Sequence, residues 1–328
     1  MKTMLITAVL GMLLLAGESG AQAPSTGSGQ RFPSKTIRLV ATSSPGSPVD
    51  LFSRAIADYL AQSTGQTVVV DNRAGAGGTL AAGYVLGAEA DGHVALVNTS
   101  AQIIAPFVYT KLPFDMLRDF TSVAPLAVLP NVLIVPPQRP WKNLKELIAD
   151  AKAKPGALNY GTGGSGTGTH MSAERFRMSA GIDAVQVPYK GSPEAVIEVI
   201  SGRIDWSMLP MSTVLPHVKD GRVRAIAVSA DRRSAQLPEV PTIAESGLAD
   251  ADFPFWVGMF VSSKAPRAAV RRLHEDTVKA LRTSEVRARF EKLGAEPFIL
   301  TSEAFDTFVQ AQAQVAAAIV KAANIRAK

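Results

Sequence analysis

The chain of 328 residues contains no cysteine. That absence removes disulfides, thiolate metal sites and the thiol through which an exported chain takes a lipid anchor. Histidine is scarce: His93, His170, His217 and His274 are scattered, without H-E-x-x-H or i, i+4 spacing, so no histidine metal centre is expected. Aromatic residues make up only 6 %, and the formal charge of +6 is spread out, its densest groups being Arg222, Arg224, Arg232, Arg233, Arg271 and Arg272. Without a basic stripe interleaved with stacking aromatics, nucleic-acid binding is not expected. A solvated surface that weakly attracts anions is the better reading. Gly164-Ser165-Gly166 lacks the full G-x-S-x-G elbow, and no base and acid follow it in the expected order, so no catalytic residue is assigned.

Long apolar runs are also few. Met4 to Ala16 follows Lys2, is too short to span a bilayer, and is followed by the small residues Ser19-Gly20-Ala21. Residues 1–21 therefore read as an export signal cleaved after Ala21, with Ala23 as the alternative, and residues 22–31 as a flexible tail. The expected mature chain is soluble, outside the cytoplasm, and about 305 residues long, enough for two domains. With 47 % hydrophobic and 19 % charged residues it has the composition of a folded protein.

What the sequence does have is glycine among hydroxyls. Gly161 to His170, GTGGSGTGTH, lies between an apolar run and a helical pattern. Glycine permits close backbone approach and positive φ, Ser and Thr add donors, and the following helix aims its first N–H groups and its dipole at whatever the loop holds. Ser43-Ser44-Pro45-Gly46-Ser47-Pro48 has the same anatomy. Two such loops suggest a cleft that closes on a carboxylate.

Strand and helix patterns alternate along the chain: Thr36 to Ala41, Thr67 to Val70 and Val94 to Val97 as strands, Val49 to Ser63 and Thr79 to Glu89 as helices. This spacing argues for a parallel sheet with helices on its faces and ligands at the strands' carboxyl ends, where Ser43 to Pro48 and Asn98 to Gln102, including Ser100, would lie. Val123 to Val135, interrupted by Pro125 and Pro130, could cross between domains, after which a second α/β unit runs to Val228. Helices follow at Ala268 to Arg282, Ser284 to Leu293 and Ser302 to Ala323, the last packing back on the first unit.

Lys35-x-Ile37-Arg38-Leu39 before the loop ending in Asp50, Asp71-Asn72-Arg73 with Gly75-Ala76-Gly77-Gly78, Lys111-Leu112-Pro113-Phe114, Leu158-Asn159-Tyr160-Gly161, Val187-Pro188-Tyr189-Lys190-Gly191-Ser192 and Leu237-Pro238-x-Val240-Pro241-Thr242 occur in this order. In them the chain, from about Phe32 onward, resembles the receptors of tripartite tricarboxylate transporters, often called Bug proteins. The resemblance implies a periplasmic protein of the type II periplasmic binding fold, two α/β lobes with a ligand cleft and hinge between them. It implies a monomer without cofactor that takes a small organic carboxylate and meets membrane permease subunits. Lobe one would hold residues 32–125 and 231–328, lobe two residues 126–230. The carboxylate would be held by main-chain N–H groups and ordered waters, with Asp50 capping or fixing its loop.

The chain departs from the family pattern in Thr42 to Val49, where hydroxyls and a proline replace glycines, and in Trp206-Ser207-Met208-Leu209-Pro210-Met211, where apolar atoms replace polar ones. With Phe255 and Trp256 near the hinge, these give an expected apolar distal wall and an aromatic mono- or dicarboxylate as ligand. Aliphatic di- or tricarboxylates and amino acids are the alternatives. The residues expected to meet the ligand are Ser43, Ser44, Gly46, Ser47, Asp50, Ser100, Gly164, Ser165, Gly166, Thr167, His170, Tyr189, Met208 and Trp256.

Duller readings compete. Gly161 to Gly166 formally matches the dinucleotide motif G-x-G-x-x-G, but Asp183 precedes its strand rather than ending it. The run Gly75 to Gly78 reads as a turn and helix start, Lys190 as a surface lysine, and Trp206, Met208 and Met211 equally as core or pocket lining. His170 either bonds the loop backbone or donates to a ligand. An exported hydrolase or isomerase, and a receptor that feeds a signalling sensor, are the competing functions.

Overall fold

The computed structural model describes residues 32–109, 111–322 and 325; the expected export signal and tail lie outside them. In chain order the elements are β1 (Ile37–Ala41), α1 (Pro48–Thr64), β2 (Val68–Asn72), α2 (Thr79–Gly87), β3 (Val94–Thr99), α3 (Ala101–Val108), β4 (Phe120–Leu129) and β5 (Asn131–Val135). There follow α4 (Leu144–Ala153), β6 (Leu158–Thr162), α5 (Gly168–Ala180), β7 (Ala184–Pro188), α6 (Ser192–Ile200), β8 (Trp206–Pro210), α7 (Met211–Lys219) and β9 (Arg224–Ser229). The chain closes with β10 (Phe255–Ser262), α8 (Arg267–Arg282), α9 (Ser284–Lys292), β11 (Glu296–Pro297) and α10 (Ser302–Ala322).

Local signals set the helices near the cleft. Pro48 opens α1, where no N–H is needed, and Gly65 ends it in the left-handed region at φ 69°. Thr167 caps α5 by accepting the His170 N–H, and Gly181 ends it at φ 59°.

The strands form two sheets, in the orders β11-β4-β10-β3-β1-β2 and β7-β6-β8-β5-β9. β1 runs parallel to β2 and β3, and β6 to β7 and β8. The expectation of parallel sheets needs correction, because β10 is antiparallel to β3 and β4, and β5 is antiparallel to β8 and β9. The reason is topological. β5 and β10 are the strands that arrive from the other sheet, β5 directly across Pro130, and each inserts against the direction of its hosts.

Both sheets are covered on two faces. Leu39 and Ala41 pack under α1 with Phe52 and Phe290, while Val40 faces the opposite core with Trp256 and Phe305. In the second sheet Leu133 and Val135 join Trp141 and Trp206, and Val132 and Ile134 join Val196 and Leu215. α10 buries Phe305, Val309, Ala313 and Ala316 on the first sheet. A division at residue 125 would cut β4, which continues in the first sheet to Leu129. Likewise Leu237, Val240, Ile243 and Ala251 pack in the cores of the second sheet, so its territory extends past residue 231 to about 252. Among the described residues no helix is long and apolar enough to cross a membrane.

Candidate functional site

A cavity of about 910 Å³ lies where the carboxyl ends of the two sheets' parallel strands face each other. Its wall includes the first turns or caps of five helices: Pro48 and Val49 of α1, Gly78 ahead of α2, Ala101 of α3, Thr167 and Thr169 at α5, and Ser192 of α6. Each presents N–H groups and the positive end of a helix dipole. Among the described residues the charged side chains on the wall are Lys190 and Glu194.

The two glycine loops are fixed from within. In the first, the Gly46 N–H donates to Asp50 Oδ2 at 3.0 Å, Arg54 Nε donates to Asp50 Oδ1 at 2.9 Å, and Asn72 Nδ2 donates to the Ser43 carbonyl at 2.9 Å. In the second, the N–H groups of Gly163, Gly164 and Gly166 donate to Thr169 Oγ1, Thr162 Oγ1 and His170 Nδ1 at 2.9, 3.3 and 3.2 Å. Among the described residues the N–H groups of Ser165, Thr167, Gly168 and Thr169 meet no acceptor. Within this loop those are the donors left for a ligand.

His170 is buried beneath its loop. Because Nδ1 accepts, the ring proton sits on Nε2, which lies 4.0 Å from Glu174 Oε1. Burial lowers the imidazole pKa to about 4, against the opposing pull of Glu174, so the ring is neutral at ordinary pH. Glu174 is itself taken up by the Tyr160 hydroxyl and by Arg177 Nη2, the latter at 2.9 Å.

Of the residues expected at the ligand, Ser43, Gly164, Ser165, Thr167 and Tyr189 line the cavity. Ser44 Oγ instead reaches across to Glu194 Oε2 at 2.9 Å. Gly46 turns its loop at φ 79°, Gly166 turns the other at φ 73°, and Asp50 and His170 lie beneath them. Ser47 and Ser100 are buried, each with an unpartnered Oγ. A Cβ at Gly168 would collide with Ser100 Oγ, so the two sides touch backbone to side chain.

Met208 and Trp256 are corrections. Both are fully buried, Met208 in the second sheet's core beside Ser172 and Trp256 edge-on to Phe305 at 5.7 Å. Trp206 and Met211 are core as well, so these four residues build no apolar wall on the cavity. Strand alternation is the cause: Phe255 faces the cavity, and its neighbour Trp256 therefore faces α10.

Gly75 to Gly78, expected as a turn and helix start, and Lys190, expected as a surface lysine, stand on the wall, together with Tyr109, Gln186 and Glu194, which no sequence pattern marked. Gly75, Ala76, Gly77 and Gly78 are four successive residues at positive φ, and a Cβ at Gly77 would lie 2.8 Å from the Ser165 carbonyl. Tyr109 donates to that carbonyl at 3.1 Å. The glycine run ahead of a helix was the available signal.

The model of the tripartite tricarboxylate transporter family receptor matches residues 52–325. The chain belongs to that family. It is 36 % identical over 285 residues to the UPF0065 protein of the tcbD-tcbE intergenic region of a Pseudomonas species, covering 86 % of this chain and 85 % of that one. It is 30 % identical to protein BugT of Bordetella pertussis, covering 98 % of both. An R. palustris protein solved with adipate superposes with a TM-score of 0.87 at 29 % identity, over 90 % of this chain and all of that one. MatC from Rhodopseudomonas palustris with bound malate superposes at 0.82, also at 29 % identity, over 88 % of this chain and 100 % of that one. The chain is thus a Bug-type solute-binding receptor with the two-lobed fold of periplasmic binding proteins.

Proposed function

We propose that the cleft captures a small aliphatic dicarboxylate and that the loaded receptor delivers it to the membrane permease of a tripartite tricarboxylate-type transporter. The convergence of five helix starts on a cavity with one lysine and one glutamate carries the reading. Such a site attracts anions through fixed N–H groups and dipoles rather than through an arginine. A cavity of about 910 Å³ exceeds a six-carbon acid, leaving room for bridging waters that adapt one pocket to related acids. The solved relatives that hold adipate and malate support the ligand class. Aromatic acids lose the support of Met208 and Trp256, which are core, and keep that of Phe255, with Tyr109 and Tyr189 beside it at the wall.

Glu194 favours one second reading, an amino acid whose ammonium meets that carboxylate. The test is calorimetric titration with adipate, malate, citrate, phthalate, benzoate and aspartate. Stoichiometric binding of adipate or malate, with the acid recovered unchanged, is expected. Binding of aspartate alone would select the second reading, turnover would make the chain an enzyme, and no binding by any acid would defeat the proposal. Export with removal of residues 1–21 is part of the same reading and is checked by N-terminal sequencing of the exported chain.

A further inference from the structure

The two loops share a spacing that neither shows by itself. Gly46, Asp50 and Arg54 stand at intervals of four, and so do Gly166, His170 and Glu174. In both, a glycine at positive φ donates its N–H to the third residue of the following helix, at 3.0 Å to Asp50 and 3.2 Å to His170. In both, that side chain is backed by the residue one turn further on, Arg54 at 2.9 Å and Glu174 at 4.0 Å. The spacing and the glycine N–H bond repeat, but an acid hydrogen-bonded to an arginine stands in one loop and an uncharged ring near, and not bonded to, a glutamate stands in the other.

An acid in a first helical turn satisfies part of the positive potential there. α1 carries Asp50 in that place and α6 carries Glu194, whereas α5, like α2 and α3, has no acid in its first turn. We propose that His170 is a positioning and specificity-determining residue: a neutral acceptor that holds the second loop in shape without placing negative charge at the start of α5, and so reserves that helix end for a carboxylate. The inference rests on reading the cleft as a carboxylate site. The uncommitted N–H groups of Ser165, Thr167, Gly168 and Thr169 stand at that helix end. Glu174 and Arg177 from α5 and Tyr160 from β6 are the titratable groups that face the ring, with Asp183 behind Arg177 at 3.9 Å. The Glu174 carboxylate is held by Arg177 and Tyr160 one turn below, away from the loop.

The test uses the full chain and three variants. The δ atom of asparagine falls where the imidazole Nδ1 does, so His170→Asn supplies a neutral acceptor, His170→Asp a charged one and His170→Leu none. Nitrogen-15 NMR of the wild type should show the Nε2–H tautomer, with a protected Gly166 amide. Exchange at Gly166 should stay slow in His170→Asn and His170→Asp and rise about tenfold in His170→Leu, the effect of losing one hydrogen bond. Adipate and malate titrations should show His170→Asn binding like the wild type and His170→Asp binding at least about tenfold more weakly.

An Nδ1–H tautomer, or a Gly166 amide as protected in His170→Leu as in the wild type, would overturn the positioning role. Equal affinity in His170→Asp and His170→Asn would overturn the charge argument. A wild type that binds neither acid would defeat the reading of the cleft and the specificity role with it, while the NMR result still decides what holds the loop.

Discussion

At the start of α1 a glycine N–H is held by Asp50 with Arg54 behind it; at the start of α5 the same group is held by His170 with Glu174 behind it. One loop is held by an acid reinforced by a partly exposed arginine, the other by a ring whose burial keeps it uncharged. The difference teaches that a loop's shape and its charge are separable. Either side chain satisfies the same backbone donor, but only the second leaves its helix end positive.

The largest expected effect separates the loops by pH. The His170 pKa is about 4 in the folded chain against 6.5 when unperturbed, so between those values the unfolded chain binds a proton that the folded chain refuses. Stability is therefore full above pH 6.5 and falls as pH drops toward 4, by roughly 3 kcal/mol from this group. Urea denaturation across that window should show a slope that His170→Asn reduces, and an unchanged slope would contradict the buried neutral ring. Breaking the other loop with Asp50→Ala removes the acceptor for Gly46 and the partner of Arg54, and should cost about 2 kcal/mol at pH 7 by the same measurement. Smaller again, Gly168→Ala sets a methyl against Ser100 Oγ and the Phe255 ring. Ligand affinity should drop about tenfold, near 1.4 kcal/mol, with the urea midpoint little changed. A fall in midpoint without a fall in affinity would mean that this contact serves folding rather than closure.

The loops were legible because Gly, Ser and Thr gather between a strand and a helix, and that pattern has a local cause. Helices and strands followed from periodicity, with β3 running two residues beyond the expected Val94 to Val97. What could not be read was which sheet face a residue takes. Trp256 and Phe255 are adjacent and apolar, and only the register of β10 between β3 and β4 sends one to the core and the other to the cavity. Nor does composition reveal that Gly77 lies against Ser165, 88 positions away, since that contact exists only once both sheets are formed. Asp50 was readable as a loop anchor because it stands in a first helical turn; that His170 does the same work was left open because imidazole serves equally well as donor.

The near approach of Gly168 to Ser100 and of Gly77 to Ser165 places a hard stop between the lobes that contains no part of the cargo. On the proposed function, in which the lobes close on a ligand, the end of that motion would be set by the chain itself, and acids of different length would all be enclosed by the same outer shape. A membrane partner that sensed this shape would learn that the container is shut without learning what is inside, and discrimination between cargoes would then have to be complete before the lobes meet.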